Sequence, residues 1–469
     1  MHHLVSVVGE CVEIAALFYF IILNSLYLIF SVFAYGVLVR HRRRWTPRHL
    51  GAIMRSPATP AVSIVVPAYN ERTGIVDTVR SLLMLNYPQF EVIVVNDGST
   101  DDTLAVLRET FGLVEAPCNH ASEVATEPVR AIYRSLAIRE IVVIDKANGG
   151  KADATNAGLN AAQFPLMCLI DADSVLEEHA LTRAVLPFLE NSTTVAVGGI
   201  VRIGNGCVID QGRVTDVRAP RGLLARFQVI EYLRSFLAAR VTQSAMNSLL
   251  IVSGAFGVFR RDIVIAAGGW RTDTVGEDME IIVRLHRYCR ENDLPYRVVF
   301  QPDPVVWTEA PETLAVLSRQ RNRWQRGTLQ VLGAHSAMFG RPRYGRIGLL
   351  ALPYYAIFEG IGPIVELVGV LNTVLGLAFG LIDWRVAQLF IMAAILYGTM
   401  ISVASVLLEE LSFRRYLRML DVCRLLTAAV LENFGYRQLT TWWRLQGSID
   451  YWKGRMHWGA MARKGLSTS

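Results

Sequence analysis

Two textures alternate along this chain. Residues 12–39, VEIAALFYFIILNSLYLIFSVFAYGVLV, carry no charge after Glu13, and a helix that crosses a bilayer needs about 20 apolar residues. The run is too long for the apolar part of a signal peptide. It has no basic segment before it and no small-residue cleavage site ahead of the arginines, so it reads as a retained span. A second apolar zone begins near residue 346. Residues 347–382 form one stretch broken by Pro353, Gly360, Gly362 and Pro363, with Glu359 and Glu366 inside it. IDWR at 382–385 reads as a short turn, and 386–408 as another span. EELSFRRYLRML, 409–420, is amphipathic and arginine-rich, which predicts a helix lying in the membrane interface. Residues 421–445 mix apolar residues with Glu432, Asn433 and Arg437. Crossing the membrane and lying on it are both open there, and so is the side on which the chain ends.

Between about 57 and 310 the pattern changes. Apolar runs VSIVV (62–66), EVIVV (91–95), EIVVI (140–144) and LMCLI (166–170) alternate with helical patterns at about 73–85, 101–110 and 150–163. Continuous apolar strands separated by helices predict an α/β fold with a mostly parallel sheet covered on both faces. Residues 112–139 carry no clear period, EAPCNHASEVATEP least of all, and read as an irregular surface insertion.

Composition fits this division. Of 469 residues 52% are hydrophobic, and the mean hydropathy of +0.32 is high for a purely soluble protein. The net charge of +6 could serve nucleic acid or a membrane protein with basic edges. Arg40, Arg42, Arg43, Arg44 and Arg48 follow the first apolar run directly. That placement favours the membrane, excludes nucleic acid as the partner, and keeps the arginine-rich end cytoplasmic. Cys11, Cys118, Cys168, Cys207, Cys289 and Cys423 have neither metal-type nor redox-type spacing and read as reduced residues.

Ligands of open α/β sheets bind beyond the carboxyl ends of the strands. There the sequence places Tyr69 and Glu71, then Asp97, then NGGK with Lys151, then Asp171 and Asp173 in DADS. Two carboxylates one residue apart repel unless something positive lies between them. A hard divalent cation, Mg2+ or Mn2+, would answer that, with Asp173 as its ligand and substrate phosphates completing the shell. A solvated acidic turn would look the same. The glycine turn before Lys151 could hold a diphosphate through backbone N–H groups and the lysine, or simply open a helix. EDMEIIVRLHRYCREN reads as a helix with Glu277 or Asp278 at its start, where the helix dipole favours an ionised carboxylate. Gln320 and Trp324 are four apart and share a helix face, with Arg323 between them. Arg319, Arg321, Arg323 and Arg326 could equally touch lipid headgroups.

VVPAYNE, VVNDGSTDDT, NGGKADATNAG, DADS, GED (276–278) and QRNRW (320–324) occur in that order. The set resembles the processive family 2 glycosyltransferases of cellulose, hyaluronan and poly-N-acetylglucosamine synthase type, over about residues 60–340. The resemblance implies a GT-A-type, Rossmann-like cytoplasmic domain with transmembrane and interfacial helices. The implied partition is an N-terminal transmembrane helix and basic flank (1–48), the catalytic domain (57–311), amphipathic interface helices (312–345), C-terminal membrane helices (346–445) and a tail (446–469). It implies that Tyr69, Glu71, Asp97, Lys151 and Asp171 hold the nucleotide, Asp173 the metal, and that Asp278, beside Glu277, is the catalytic base. It also implies that Gln320, Arg323 and Trp324, with Phe256 and Gly257 of SGAFGVFRR, serve the acceptor and diphosphate. Gly276 stands where these synthases usually have Thr, which predicts a looser loop under the base.

The function expected is a processive, inverting transferase, multi-pass in the inner (plasma) membrane with its catalytic domain cytoplasmic. It would polymerise a UDP-sugar, an N-acetylhexosamine by overall likeness, and pass the growing polysaccharide through the lipid bilayer, with Glu359, Glu366, Glu432 and Arg437 as polar pore residues. Accessory export or envelope proteins are possible partners. The alternatives are transfer of one sugar to a lipid carrier and an inactive membrane scaffold.

Overall fold

The computed structural model describes residues 2–44, 51, 53–117, 122–210, 212–380 and 382–455. Arg48 and Cys118 lie outside them, and the other cysteines are free thiols.

The apolar runs become strands at the expected places: β1 Val62–Ala68, β2 Phe90–Asp97, β5 Ile141–Lys146 and β6 Leu166–Ile170. All four are parallel, in the order β5-β2-β1-β6. Their side chains are buried almost without exception, because helices cover both faces. These are α2 Ile75–Leu83, α3 Thr103–Phe111 and α4 Lys151–Ala161. Beyond β6 the sheet becomes mixed. Antiparallel β11 Phe256–Arg260 sits between β6 and β8 Thr194–Ile203. β12 Arg297–Thr308 then runs parallel to β8 and antiparallel to the short β7 Val175–Leu176. The carboxyl ends of β1, β2, β5, β6, β8 and β12 share one edge. β9 Val208–Asp210 and β10 Arg213–Asp216 form a separate hairpin.

The expectation for 112–139 needs correction. β3 Leu113–Ala116 and β4 Val129–Ser135 pair antiparallel, and β4 adds to the edge of β5. Alternation is visible only in IYRS, where Ile132, Tyr133 and Ser135 are buried and Arg134 is exposed. An edge hairpin needs one apolar face, and so little burial leaves a weak periodic signal.

The apolar zones are helical. α1 His2–Arg44 contains a candidate span, Val7–His41. Ile347–Gly360 and α9 Gly362–Ala378 pass the same test as a pair bent by 41°. α10 Trp384–Ser412 is the other candidate span, opened by the Asp383 carboxylate, which accepts from the Arg385 N–H at 2.7 Å. The interface helix expected at 409–420 does not form. α10 ends at Ser412, and Arg414 adopts φ +50. The reason is charge: Glu409, fully buried, pairs with Arg202 of β8 at 2.6 Å and holds the end of α10 against the sheet. Residues 421–445 split into α11 Met419–Leu431 and α12 Tyr436–Trp452 around Gly435, whose φ is +98. α12 continues well into the segment expected to be tail. Neither helix is a candidate span. α11 packs on α6 Leu223–Leu233, and α12 packs along α8 Leu314–Ala334. Buried residues of these C-terminal helices, such as Val406, Leu425 and Trp443, join one hydrophobic core with the sheet.

Gly276 does the opposite of what was expected. It caps α7 Glu277–Glu291 and meets Gly327 of α8 backbone to backbone. A Cβ at either position would lie 2.8 Å from the other's Cα. The bare glycine therefore tightens the loop by letting two helices touch, and a threonine there would force them apart. Gly327→Ala and Gly276→Thr should each destabilise the purified protein by about 1–3 kcal/mol through overpacking. Thermal unfolding in detergent measures this, and unchanged midpoints would show that the two helices separate freely.

Candidate active site

A cavity of about 460 Å³ opens where the strand ends meet α7, α8 and the membrane-side helices. Asp171 and Asp173 follow β6, Lys151 opens α4, Glu277 and Asp278 open α7, and Gln320, Arg323 and Trp324 come from α8. All of them line the cavity. Residues as distant in sequence as Lys151 and Trp324 thus meet because the sheet edge and the helices converge.

The positive group beside Asp171 is Lys151. Its ammonium lies 2.5 Å from Asp171 Oδ1, 3.8 Å from Glu277 Oε1, and donates to the Gly254 carbonyl at 3.2 Å. Burial lowers the lysine's pKa, but Asp171, Glu277 and Asp278 more than offset this, so it stands above its ordinary value. Glu277 is buried, and that burial pushes its carboxyl up. Lys151 opposes the rise and Asp278 adds to it. Asp278 is half-buried. Its Oδ2 accepts from the Gly254 N–H at 3.3 Å, and its Oδ1 from the Met279 N–H at 2.9 Å.

On the α8 wall, Trp324 is 41% exposed and so available to a ligand. Its ring is held from behind by Arg321, whose guanidinium carbon lies 4.2 Å from the ring centroid. Arg321 is not at a headgroup. It is buried, ion-paired to Glu231 of α6 at 2.7 Å, and Glu231 also accepts from the Tyr436 hydroxyl of α12 at 2.9 Å. Burial alone would lower the arginine's pKa, and Glu231 reverses the sign. Arg326 is also turned inward, donating to Asn322 at 2.9 Å and to the Arg455 carbonyl at 2.7 Å. Nothing local in the sequence signals this support behind Trp324, because Glu231 and Tyr436 sit in helices with no motif.

Three expected nucleotide residues stand outside the cavity lining. Asp97 is buried at the end of β2. Its carboxylate pairs with Lys146 at 2.7 Å and accepts from the Gly149 and Gly150 N–H groups at 3.0 and 2.8 Å. The glycine turn therefore spends those two donors on Asp97 and offers them to no diphosphate. Gly150 needs its left-handed φ of +86 to make this turn. Tyr69, 49% exposed, and Glu71 lie on the neighbouring loop. That loop is fastened to the Asp97 loop by Asn70, which accepts from the Thr100 N–H at 2.8 Å, and by Glu71 N–H on Thr103 Oγ1 at 3.0 Å. They form a ledge beside the cavity.

Phe256 and Gly257 are corrected outright. Both are inside β11, paired to β6, and Phe256 is wholly buried in the core. The cavity wall is the preceding loop, Ser253–Ala255. An apolar strand following a small-residue loop could have indicated this.

The proposed pore residues also resolve. Glu359 lines the cavity and pairs with Arg444 at 2.9 Å. Glu366 accepts from Thr441 at 2.6 Å. Glu432 is fully buried between Arg234 and Arg437, at 2.8 and 2.9 Å. Tyr27 of α1 and Tyr355 also reach the cavity, so it extends from the acids to the candidate spans.

The comparisons agree with this architecture. The family model described as "Glycosyltransferase like family 2" matches residues 60–327. Poly-beta-1,6-N-acetyl-D-glucosamine synthase of Staphylococcus epidermidis is 28% identical over 272 residues, 58% of this chain and 55% of that protein. The Staphylococcus aureus (strain COL) protein of the same name is 27% identical over 272 residues, with the same coverage of 58% and 55%. The chain thus spans about half the length of the curated relatives it matches. Among solved structures, the mannosyltransferase PcManGT from Pyrobaculum calidifontis, in complex with GDP-Man and Mn2+, has a TM-score of 0.50 at 19% identity. It covers 88% of this chain and 99% of its own, a likeness of fold. With a family match over more than half its length and a GT-A-type mixed sheet beneath it, this chain belongs to the glycosyltransferase-like family 2.

Proposed function

We propose that the protein is a membrane-embedded, inverting glycosyltransferase that builds a polysaccharide from a UDP-sugar at the cytoplasmic face. The observation that carries this is the meeting of Asp171, Asp173, Lys151, Asp278 and Trp324 in one cavity that continues toward α1 and the bent pair at 347–378. N-acetylhexosamine as the sugar follows the named activity of the staphylococcal relatives.

The chemistry is a single displacement. An acceptor hydroxyl attacks the anomeric carbon, the bond to the diphosphate oxygen breaks, UDP leaves, and Asp278 takes the hydroxyl proton. Asp278 suits the role because it is half-buried, faces the cavity and sits at the start of α7, where the dipole favours its charged form. Glu277, buried and within reach of the Lys151 ammonium, is a positioning residue. Trp324 offers a face for the acceptor sugar, and Arg323 offers a planar guanidinium for the diphosphate. Tyr69 and Glu71 on their ledge and Asp171 hold the nucleotide, and Asp97 shapes the turn that presents Lys151.

The residues present fit a divalent ion that arrives with the substrate. Asp173 contributes one hard carboxylate to the cavity. Among the described residues no three ligating side chains form a cluster, so diphosphate oxygens and water would fill the rest of a Mg2+ or Mn2+ shell. The ion would offset charge on the departing diphosphate.

The candidate spans support one topology. With α1 entering from outside, 347–378 crosses outward and α10 returns, which leaves α11 and α12 on the cytoplasmic side against α6 and α8. A product formed at Trp324 then meets membrane helices directly.

Asp278→Asn should keep the fold and lower transfer at least about 100-fold, measured as UDP release with Mg2+ or Mn2+ and by sizing the product. A variant that still extends polymer at near-normal rate removes Asp278 from the chemistry, and a single glycolipid product excludes polymerisation. Lys151→Met should cost about 3 kcal/mol near pH 8, since it strands ionised carboxylates around an empty centre. Burial already raises the Glu277 carboxyl above its ordinary value, and removing the lysine takes away the charge that opposes this rise. The deficit against wild type is therefore full above that raised pKa and shrinks as pH falls to about 5. Unfolding midpoints at the two pH values check the sign.

A further inference from the structure

A second cavity, about 590 Å³, shares no lining residue with the active-site cavity. It is lined by His41 of α1, Ser412, Phe413, Arg414, Arg415 and Leu417 after α10, Val214–Val217 of the β10 region, and Asp303 of β12. His41 and Ser412 are the last residues of the two candidate spans. The cavity therefore sits where both helices would leave the membrane on the same side.

Its charges are unequal in freedom. Asp303 is held by His41 at 3.1 Å, and Asp216 by Arg218 and Arg418 at 2.8 and 2.9 Å. Burial holds the Arg415 pKa below its ordinary value and Arg202 and Arg183 push it further, with Glu177, at 3.2 Å, only partly compensating. Arg414 is exposed at the lip, on a left-handed backbone that turns the chain back under α10. Arg42, Arg43 and Arg44 follow His41 in sequence. Close after Arg414 and Arg415 in the chain, Leu417, Met419 and Leu420 are 83%, 76% and 61% exposed. Water would not tolerate such a trio cheaply, whereas acyl chains beneath a headgroup would accept it.

We propose that this cavity binds the phosphate headgroup of an anionic phospholipid of the inner leaflet, with Arg414 and Arg415 as the main contacts and Leu417, Met419 and Leu420 in the acyl layer. The assignment rests on the membrane reading above. Phosphate supplies the acceptor oxygens that two neighbouring guanidinium groups need, and each basic residue near an anionic surface contributes about fivefold in affinity.

The test uses the full chain. Carbonate extraction of membranes comes first. The purified protein is then placed in nanodiscs of phosphatidylcholine with a minority of phosphatidylglycerol, and retained lipid is read by native mass spectrometry. Wild type should enrich phosphatidylglycerol, and Arg414→Asn with Arg415→Gln should lower that enrichment roughly 20-fold. Arg414→Asn alone, whose new side chain suits the left-handed backbone, should lower it about fivefold with the unfolding midpoint unchanged. Equal retention of both lipids, or loss that millimolar glycerol phosphate produces by competition, overturns the headgroup assignment and leaves the membrane reading standing. A protein stripped from membranes by carbonate overturns both.

Discussion

One ammonium group organises the site. Lys151 stands among Asp171, which follows β6, and Glu277 and Asp278, which open α7. Carboxylates this close raise one another's pKa values and repel. Lys151 between them offsets that repulsion, and its hydrogen bond to the Gly254 carbonyl ties the third wall to the same point. The lysine is itself delivered by Asp97, which consumes the glycine-turn donors and fixes where α4 begins. A residue that resembles a ligand contact thus acts one step behind the ligand, on the backbone that presents the contact.

The same logic fixes the C-terminal helices against the sheet and against one another. Arg202–Glu409, Arg234–Glu432 and Arg321–Glu231 are ion pairs with at least one fully or nearly fully buried partner, each linking segments distant in sequence. Buried pairs are weak contributors to net stability but costly to break. They therefore specify one arrangement of parts that apolar contacts alone would leave free to slide. The Gly276–Gly327 contact adds a steric limit to the same end, setting the start of α7 directly against α8. Catalysis by position demands this kind of fixed geometry.

Strand and helix positions in the parallel half of the sheet were legible because each apolar run must be buried on both faces, which leaves an unbroken signal. The hairpin at 113–135 was not, since an edge pair buries few side chains. The segment 409–420 misled for a different reason. Its arginines and apolar residues have helical spacing, yet the helix ends at Ser412, with Glu409 paired to Arg202 of the sheet. Charges in apolar surroundings read as pore residues in one dimension. Glu432 turned out to be fully buried between two arginines.

By itself the sequence determined the alternation of sheet and helix, the two long apolar spans and the order of chemical groups along the strand ends, since these depend on local periodicity and on which residues can be dehydrated. Only the tertiary structure decided which of those groups share a cavity. Lys151, Asp171 and Asp278 became partners, Phe256 became core, and Asp97 became a brace, because such roles depend on distances between residues far apart in the chain. Pairwise electrostatics and steric contact act through space, and no local pattern encodes them.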